Sequence, residues 1–96
     1  MATYIVLGKW TQQALQGLKE GPRRREAAKE VAKSLGGEVK HSYVTMGQYD
    51  IVLIVEAPDD EAMAKMALKV ASSGNLSTQT LRAFSEAEVD RLFASI

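Results

Sequence analysis

The 96-residue sequence contains no cysteine and a single histidine, His41. The lack of cysteine excludes disulfides, thiolate catalysis and cysteine-based zinc sites. One histidine cannot supply the histidine pair of a metal site within one chain, so we predict no metal site and leave any other cofactor unassigned. A chain of this size buries only a thin core. Because small domains often draw stability from disulfides, metals or oligomerisation, oligomerisation is the remaining source of support.

The sequence also lacks a surplus of charge and a long apolar run. Twelve basic residues balance twelve acidic ones, so the positive surface expected of a nucleic-acid-binding protein is missing. The first residues show neither the basic start nor the apolar core of a signal peptide. No run approaches the roughly 20 residues of a membrane span. These features predict partners other than nucleic acid and membrane, with a cytoplasmic location as the default expectation.

The first third of the chain predicts one strand and two helices. Residues Thr3–Gly8 are rich in β-branched and aromatic side chains, which is typical of a strand. Thr11 is placed to cap a short helix that ends near Glu20. Pro22 suits the first turn of a longer helix, which the Gly36-Gly37 pair should end.

The middle of the chain predicts a β-hairpin. Residues 38–45 alternate along a strand. This alternation predicts that four side chains share one face of the strand: Val39, His41, Tyr43 and Thr45. Gly47–Tyr49 should form the turn, because glycine tolerates positive φ, and Asp50–Glu56 should form the next strand.

The last third predicts a helix, a strand and a final helix. Acidic residues after Pro58 stabilise the positive end of a helix, and Gly74 should close it. Residues Leu76–Phe84 are rich in threonine and predict a strand. Ser85 and Glu88 have the spacing of a capping box at the start of the last helix.

The resulting order is β-α-β-β-α-β with a C-terminal helix, which predicts one α+β domain over residues 1–96 with the ferredoxin-like plan. In that plan the sheet is antiparallel and four-stranded, and the first and third strands are central. Both of these strands are apolar on both faces; in the third, Ile51, Leu53 and Val55 point one way while Val52 and Ile54 point the other.

In an antiparallel sheet with one solvent-exposed face, the strands should instead alternate apolar and polar residues. Both crossover helices cover the same face, so the other face needs a second cover. The simplest cover is another copy of the sheet, which would give a dimeric α+β barrel. The alternative is a monomer in which the C-terminal helix folds over that face.

The segment "TMGQYDIVLIVEAPDDEAM", with Gly47, Tyr49 and Asp50, resembles the signature hairpin of the GYD domain family. The segments "YIVLGKWT" and "GNLSTQTLRAFS" resemble the two ends of that family. The resemblance implies the fold of the dimeric α/β-barrel superfamily and brings no established catalytic residues. A more distant likeness to the effector-binding domains of leucine-responsive regulators implies binding of small molecules between subunits.

Three residues are candidates for catalysis. His41 could act as a general base or bind a single metal or haem iron, with Tyr43 beside it on the same strand face and Asp50 as a carboxylate partner. The alternatives are a solvated or hydrogen-bonded edge-strand histidine and an Asp50 that stabilises the turn by bonding backbone amides.

Three other residues are candidates for ligand binding. Arg82, among apolar and threonine neighbours, could clamp a carboxylate, or it could be an exposed edge arginine. Tyr49 would project from the hairpin end toward a cleft or a neighbouring subunit, or it could be only part of the turn. Trp10 could line a pocket with Tyr4, although its spacing to Leu15 also suits a hydrophobic staple.

The leading hypothesis is a small homo-oligomeric barrel that binds a small, partly apolar molecule as a sensor or accessory protein. The alternative is a cofactor-independent oxygenase or isomerase that uses His41 and Tyr43. A third hypothesis is a module that serves only oligomerisation. The residue pattern leaves open whether the chain is an enzyme.

Overall fold

A computed structural model describes all residues, 1–96, and confirms the β-α-β-β-α-β order with a C-terminal helix. A short 3₁₀ turn at Leu18–Glu20 separates the first two helices. The elements in chain order are β1 (Ala2–Trp10), α1 (Gln12–Leu15), α2 (Gly21–Ser34), β2 (Glu38–Val44), β3 (Ile51–Ala57), α3 (Asp60–Ser72), β4 (Leu76–Ala83) and α4 (Glu86–Ala94).

Three of the four helices begin at side-chain caps, and the sequence predicts those of α1 and α4. The Thr11 hydroxyl caps α1, and Pro22 lies in the first turn of α2. Asp59 caps α3 with its carboxylate. Ser85 and Glu88 form the complete capping box of α4, in which each side chain bonds the backbone N–H of the other residue. These bonds satisfy amides that have no partner within the helix.

The strands form one antiparallel sheet in the order β2-β3-β1-β4, so the two apolar strands are central. Tyr4 of β1 lies opposite Val55 of β3, and the next pair is Ile5 with Ile54. Directly opposed residues share a face of the sheet, and the faces alternate along each strand. The register therefore divides the sheet into one face that carries Tyr4 and Val55 and one that carries Ile5 and Ile54.

Helices α2 and α3 cover the first of these faces and form the core with it. Val55, at the centre of β3, is completely buried. The core cluster consists of Tyr4, Val6, Ala32, Leu53, Val55, Ala57, Met63 and Met66.

The structure corrects the predicted faces of β2. Val39 pairs with Val55 and His41 pairs with Ile54, so two steps along β2 match one step along β3. This is a β-bulge at Lys40, and a bulge shifts the following side chains to the opposite face. Val39 consequently packs against the core, whereas His41 lies on the face without helices, and the prediction that the two share a face was wrong.

The face without helices, here called the open face, is apolar at its centre. It carries the half-buried side chains of Ile5, Leu7, Val52 and Ile54. Neither α2 nor α3 reaches it, since both pack on the core side. The open face is the side of the sheet for which the sequence predicts a second cover.

Helix α4 does not supply that cover within this chain. It packs extensively against no other element, and its apolar stripe is largely exposed: 49 % for Leu92, 67 % for Phe93 and 98 % for Ile96. The radius of gyration, 14.3 Å, exceeds the value of about 12.5 Å expected for a compact chain of this length. The helix therefore extends the molecule instead of closing it.

No helix in the structure combines the length and the apolarity that a membrane crossing needs.

Candidate functional site

A groove of about 240 Å³ lies between α3 and β4 on the helix-covered side of the sheet. Tyr4 and Arg82 are directly opposed in the β1–β4 register, so both side chains face α3. Asp60 approaches from the first turn of that helix. The groove is lined by Tyr4, Asp60, Met63, Ala64, Ala67, Thr80 and Arg82.

The Tyr4 hydroxyl connects β1 to the start of α3. It donates a hydrogen bond to the Asp60 carboxylate, and its side chain is almost fully buried, at 3 % exposure. Burial disfavours the charged phenolate, and the neighbouring carboxylate opposes it further, which raises the pKa of Tyr4 to about 12. Tyr4 therefore remains a hydrogen-bond donor at every physiological pH and holds one oxygen of Asp60 in place.

The Arg82 guanidinium lies at the opposite wall of the groove. It stacks over the Phe84 ring with its central carbon 4.4 Å from the ring centroid, and the same carbon is 5.6 Å from the Tyr4 centroid. One of its nitrogens donates to the backbone carbonyl of Thr3 at 3.3 Å. Stacking and backbone contacts fix the planar cation, while a third of the side chain stays exposed.

The second terminal nitrogen of Arg82 approaches α4. It lies 3.8 Å from a carboxylate oxygen of Glu88, the capping-box residue. Hydrogen bonds with Ser85 are the main cause that lowers the pKa of Glu88, and the charge of Arg82 adds to the effect. At 3.8 Å the Arg82–Glu88 contact is an ion pair but too long for a hydrogen bond.

Asp50 stabilises the corner between the hairpin and β1. Its carboxylate accepts a hydrogen bond from the backbone N–H of Trp10 at 2.9 Å. Its own N–H donates to the Gly8 carbonyl at 2.8 Å, and its carbonyl accepts from the Thr45 N–H at 2.7 Å. Gly47 adopts the positive φ of 107° that the turn requires. The Asp50 carboxylate therefore bonds an amide of β1 that is distant in sequence, instead of the nearby amides expected of a turn residue, and it connects the backbone of Trp10 to the hairpin corner.

Tyr49 reaches from the same turn to the far edge of the sheet. Its hydroxyl donates to the side-chain oxygen of Gln79 at 2.8 Å, and the Lys9 ammonium lies 5.6 Å from its ring centroid. Gln79 pairs with Leu7 in the β1–β4 register. Tyr49 therefore borders the open face and not the groove.

His41 and Tyr43 lie side by side on the open face. Their ring centroids are 6.2 Å apart and the rings are nearly parallel, at 17°. His41 pairs with Ile54, and Asp50 precedes Ile54 by four residues, which corresponds to about 13 Å along an extended strand. The structure brings His41 and Tyr43 together and keeps Asp50 apart from His41.

Of the six residues that the sequence suggests as site residues, only Arg82 lines the groove. Sequence reasoning placed Tyr4 in a possible pocket with Trp10 and treated Asp60 only as an acid at a helix start. The β1–β4 pairing expected for a ferredoxin-like sheet places the two strands side by side, but it does not give the register that opposes Tyr4 to Arg82. No group of three or more histidine and acidic side chains is arranged to hold a metal ion.

The sheet order, the two helices on one face and the charged groove define an α+β protein with a ferredoxin-like fold and an open groove between α3 and β4. The sequence model of the GYD domain family matches residues 4–93 of the chain. The chain therefore belongs to the GYD domain family.

Comparisons with individual proteins agree with this assignment. A Thermus thermophilus protein named "Glutamine synthetase and cystathionine beta-lyase binding protein" is 36 % identical over 90 residues, which are 93 % of this chain and 95 % of that protein. A crystal structure of a protein from the same organism is 28 % identical, with a TM-score of 0.57 over 88 % of this chain and 95 % of the other.

The fold is shared with a regulator. A feast or famine regulatory protein from M. tuberculosis, solved with L-methionine, has a TM-score of 0.67 at 16 % identity. The match covers 88 % of this chain, and the chain spans about half of the length of the regulator (51 %). At this identity the likeness concerns the fold alone.

Proposed function

We propose that this protein is a self-associating accessory protein that binds a small molecule, with a dimeric α+β barrel as its working unit. The observation that carries the proposal is the apolar open face of the sheet, which nothing in the chain covers. Two such faces stacked on each other would bury Ile5, Leu7, Val52 and Ile54 of both subunits. These side chains are already half-buried, so the further burial of each would stabilise the dimer by roughly 0.5–1 kcal/mol. The sum is substantial compared with the stability of a small domain.

The relatives support an accessory role. The Thermus relative carries a name that describes binding to two enzymes of amino-acid metabolism, and the regulator with the same fold was solved with an amino acid. A groove with an apolar floor and two charged walls is suited to recognition of a small ligand. We therefore place this protein with binding proteins that act on, or report to, metabolic enzymes.

Sedimentation velocity tests the assembly. The wild-type protein should sediment as a particle of at least 21 kDa, twice the chain mass of 10.5 kDa. Ile54→Asp should yield monomers, because it places a charge in the stacked interface. Leu68→Asp is the matched control, since Leu68 lies on α3 with 71 % exposure, and it should leave the assembly intact. A wild-type particle of 10.5 kDa would contradict the proposal.

Binding to metabolic enzymes has its own test. Purified glutamine synthetase and cystathionine β-lyase from the same organism should each be mixed with the protein and separated by size-exclusion chromatography with light scattering. Co-elution of the protein with at least one of the enzymes would support the accessory role. Separate elution of both enzymes would contradict the partner that the relative's name suggests.

One observation favours the second candidate, a cofactor-independent oxygenase or isomerase. His41 and Tyr43 stack on the face that the proposed dimer would enclose, and an enclosed histidine can serve as a general base. Oxygen uptake with an electron-rich phenol, or isomerisation of an enolisable ketone, would be measured for wild type and His41→Ala. Turnover that His41→Ala abolishes while the dimer persists would support the enzyme, and equal turnover in both proteins would eliminate this role of His41.

A further inference from the structure

We infer that the groove between α3 and β4 binds a free α-amino acid with an uncharged side chain, with Arg82 holding the carboxylate and Asp60 the ammonium group. This inference rests on the proposed role in small-molecule binding and names its ligand class and site. The groove lies on the helix-covered side of the sheet, away from the open face, so the site does not depend on the proposed stacking of open faces.

The two charges of the groove stand on opposite walls. Arg82 projects from β4 and Asp60 from α3, and the two side chains form no ion pair with each other; the carboxylate beside Arg82 is that of Glu88. Arg82 and Asp60 carry opposite charges and face the same groove without pairing with each other. Such an arrangement complements a ligand that carries both a positive and a negative charge. A zwitterion satisfies both walls, whereas a simple anion or cation satisfies one and faces like charge at the other.

Each charged group retains capacity for a ligand. One oxygen of Asp60 accepts from Tyr4, which leaves its second oxygen to accept from an ammonium group. The Arg82 nitrogen that faces Glu88 is engaged only at 3.8 Å. A ligand carboxylate at ordinary hydrogen-bond distance would make a stronger charge-assisted bond than this ion pair, and Glu88 would keep its bonds with Ser85.

The floor of the groove determines the ligand side chain. Met63, Ala64 and Ala67 of α3 provide apolar surface, and the two alanines leave space above the helix. The flexible thioether of a methionine adapts to aliphatic groups of different shape. A volume of about 240 Å³ is below the roughly 300 Å³ at which sites for drug-sized ligands begin, so the groove fits an amino acid better than a nucleotide or a large cofactor.

The direct test is isothermal titration calorimetry of the wild-type protein with L-leucine. L-leucinamide lacks the carboxylate, and N-acetyl-L-leucine lacks the ammonium group. L-leucine should bind, and each analogue should bind about tenfold more weakly or worse, because each loses one charge-assisted contact. Equal affinity for L-leucine and N-acetyl-L-leucine would overturn the assignment of Asp60, and equal affinity for L-leucine and L-leucinamide that of Arg82.

Variants locate the site. Arg82→Gln and Asp60→Asn should each weaken L-leucine binding by about tenfold or more. The matched controls are Arg25→Gln on α2 and Glu61→Gln, which neighbours Asp60 but pairs with Lys65 outside the groove; both should bind as the wild type does. Circular dichroism confirms folding, and shifts of amide NMR signals along α3 and β4 provide a second readout on the wild-type protein. Binding that survives both groove substitutions, or shifts confined to the open face, would refute the site.

Sedimentation of the same samples separates this inference from the proposed function. A dimer that binds no L-leucine at millimolar concentration would overturn the inference and leave the assembly standing, as expected of a module that serves only oligomerisation. A monomer whose L-leucine binding is lost in Arg82→Gln would uphold the groove and contradict the barrel.

Discussion

Replacement of Tyr4 by phenylalanine should lower the free energy of unfolding by about 1 kcal/mol near neutral pH. A hydrogen bond to a charged group is worth about 1.5–3 kcal/mol, but Asp60 lies at the surface, where water can replace the lost donor. The lower end of that range or slightly less is therefore expected. Thermal unfolding at fixed protein concentration should show a melting temperature about 4–8 °C lower. Tyr43→Phe is the control, and both substitutions are compared in the monomeric Ile54→Asp background, where the open face is not enclosed. The Tyr43 side chain is 56 % exposed in the single chain, so its substitution there should change the free energy of unfolding by less than about 0.5 kcal/mol.

The same residue predicts how stability depends on alkaline pH. The pKa of Tyr4 is about 12 in the folded protein, whereas an ordinary tyrosine in an unfolded chain has a pKa of about 10. Between these values the folded state holds a proton that the unfolded state has lost, so stability falls as pH rises. The stability that Tyr4 adds is therefore complete below pH 10 and is lost between pH 10 and 12.

The phenolate absorbance of Tyr4 can be isolated as the difference between wild type and Tyr4→Phe at about 295 nm. At pH 11 a pKa of about 12 leaves Tyr4 about one-tenth ionised, against about nine-tenths for an ordinary phenol. Nine-tenths ionisation at that pH in a protein that is still folded by circular dichroism would refute the argument from burial and the Asp60 contact.

Two further substitutions test the geometry of the turns by thermal unfolding. Asp50→Ala should lower the free energy of unfolding by about 1–3 kcal/mol, because the half-buried Trp10 amide loses its acceptor. Asp50→Asn should lower it by less. Equal stability of wild type and Asp50→Ala would show that the bond is unimportant. Gly37→Ala should cost at least about 1 kcal/mol, because the added carbon would lie 2.4 Å from the Glu56 carbonyl oxygen. The control Gly21→Ala meets nothing within 4 Å and should be neutral or slightly stabilising, and a Gly37→Ala protein as stable as this control would contradict the packing described.

The sequence predicts those parts of the fold that depend on local chemistry. Ser85 and Glu88 show the start of α4 because a capping box requires only the correct spacing. The apolar character of β3, in contrast to the polar residues of β2 and β4, predicts its central position because the edge strands of a sheet carry polar side chains. Gly47 indicates the hairpin turn because the turn requires positive φ.

Other features depend on register, which local patterns do not encode. The strand β2 alternates in sequence as though it were regular, but the bulge at Lys40 reverses the faces of the residues that follow it. The pairing of Arg82 with Tyr4 depends on how β4 aligns with β1. Asp60 looks like one acid among several at the start of a helix, and its role in the groove emerges only once α3 is packed on the sheet.

The central claim, that two open faces stack, is tested most directly by isotope-filtered nuclear Overhauser effects in a sample that mixes labelled and unlabelled subunits. Intermolecular contacts should arise from the methyl groups of Ile5, Leu7 and Ile54. Their absence, or intermolecular contacts only from Leu92 and Phe93 of α4, would contradict the stacked barrel.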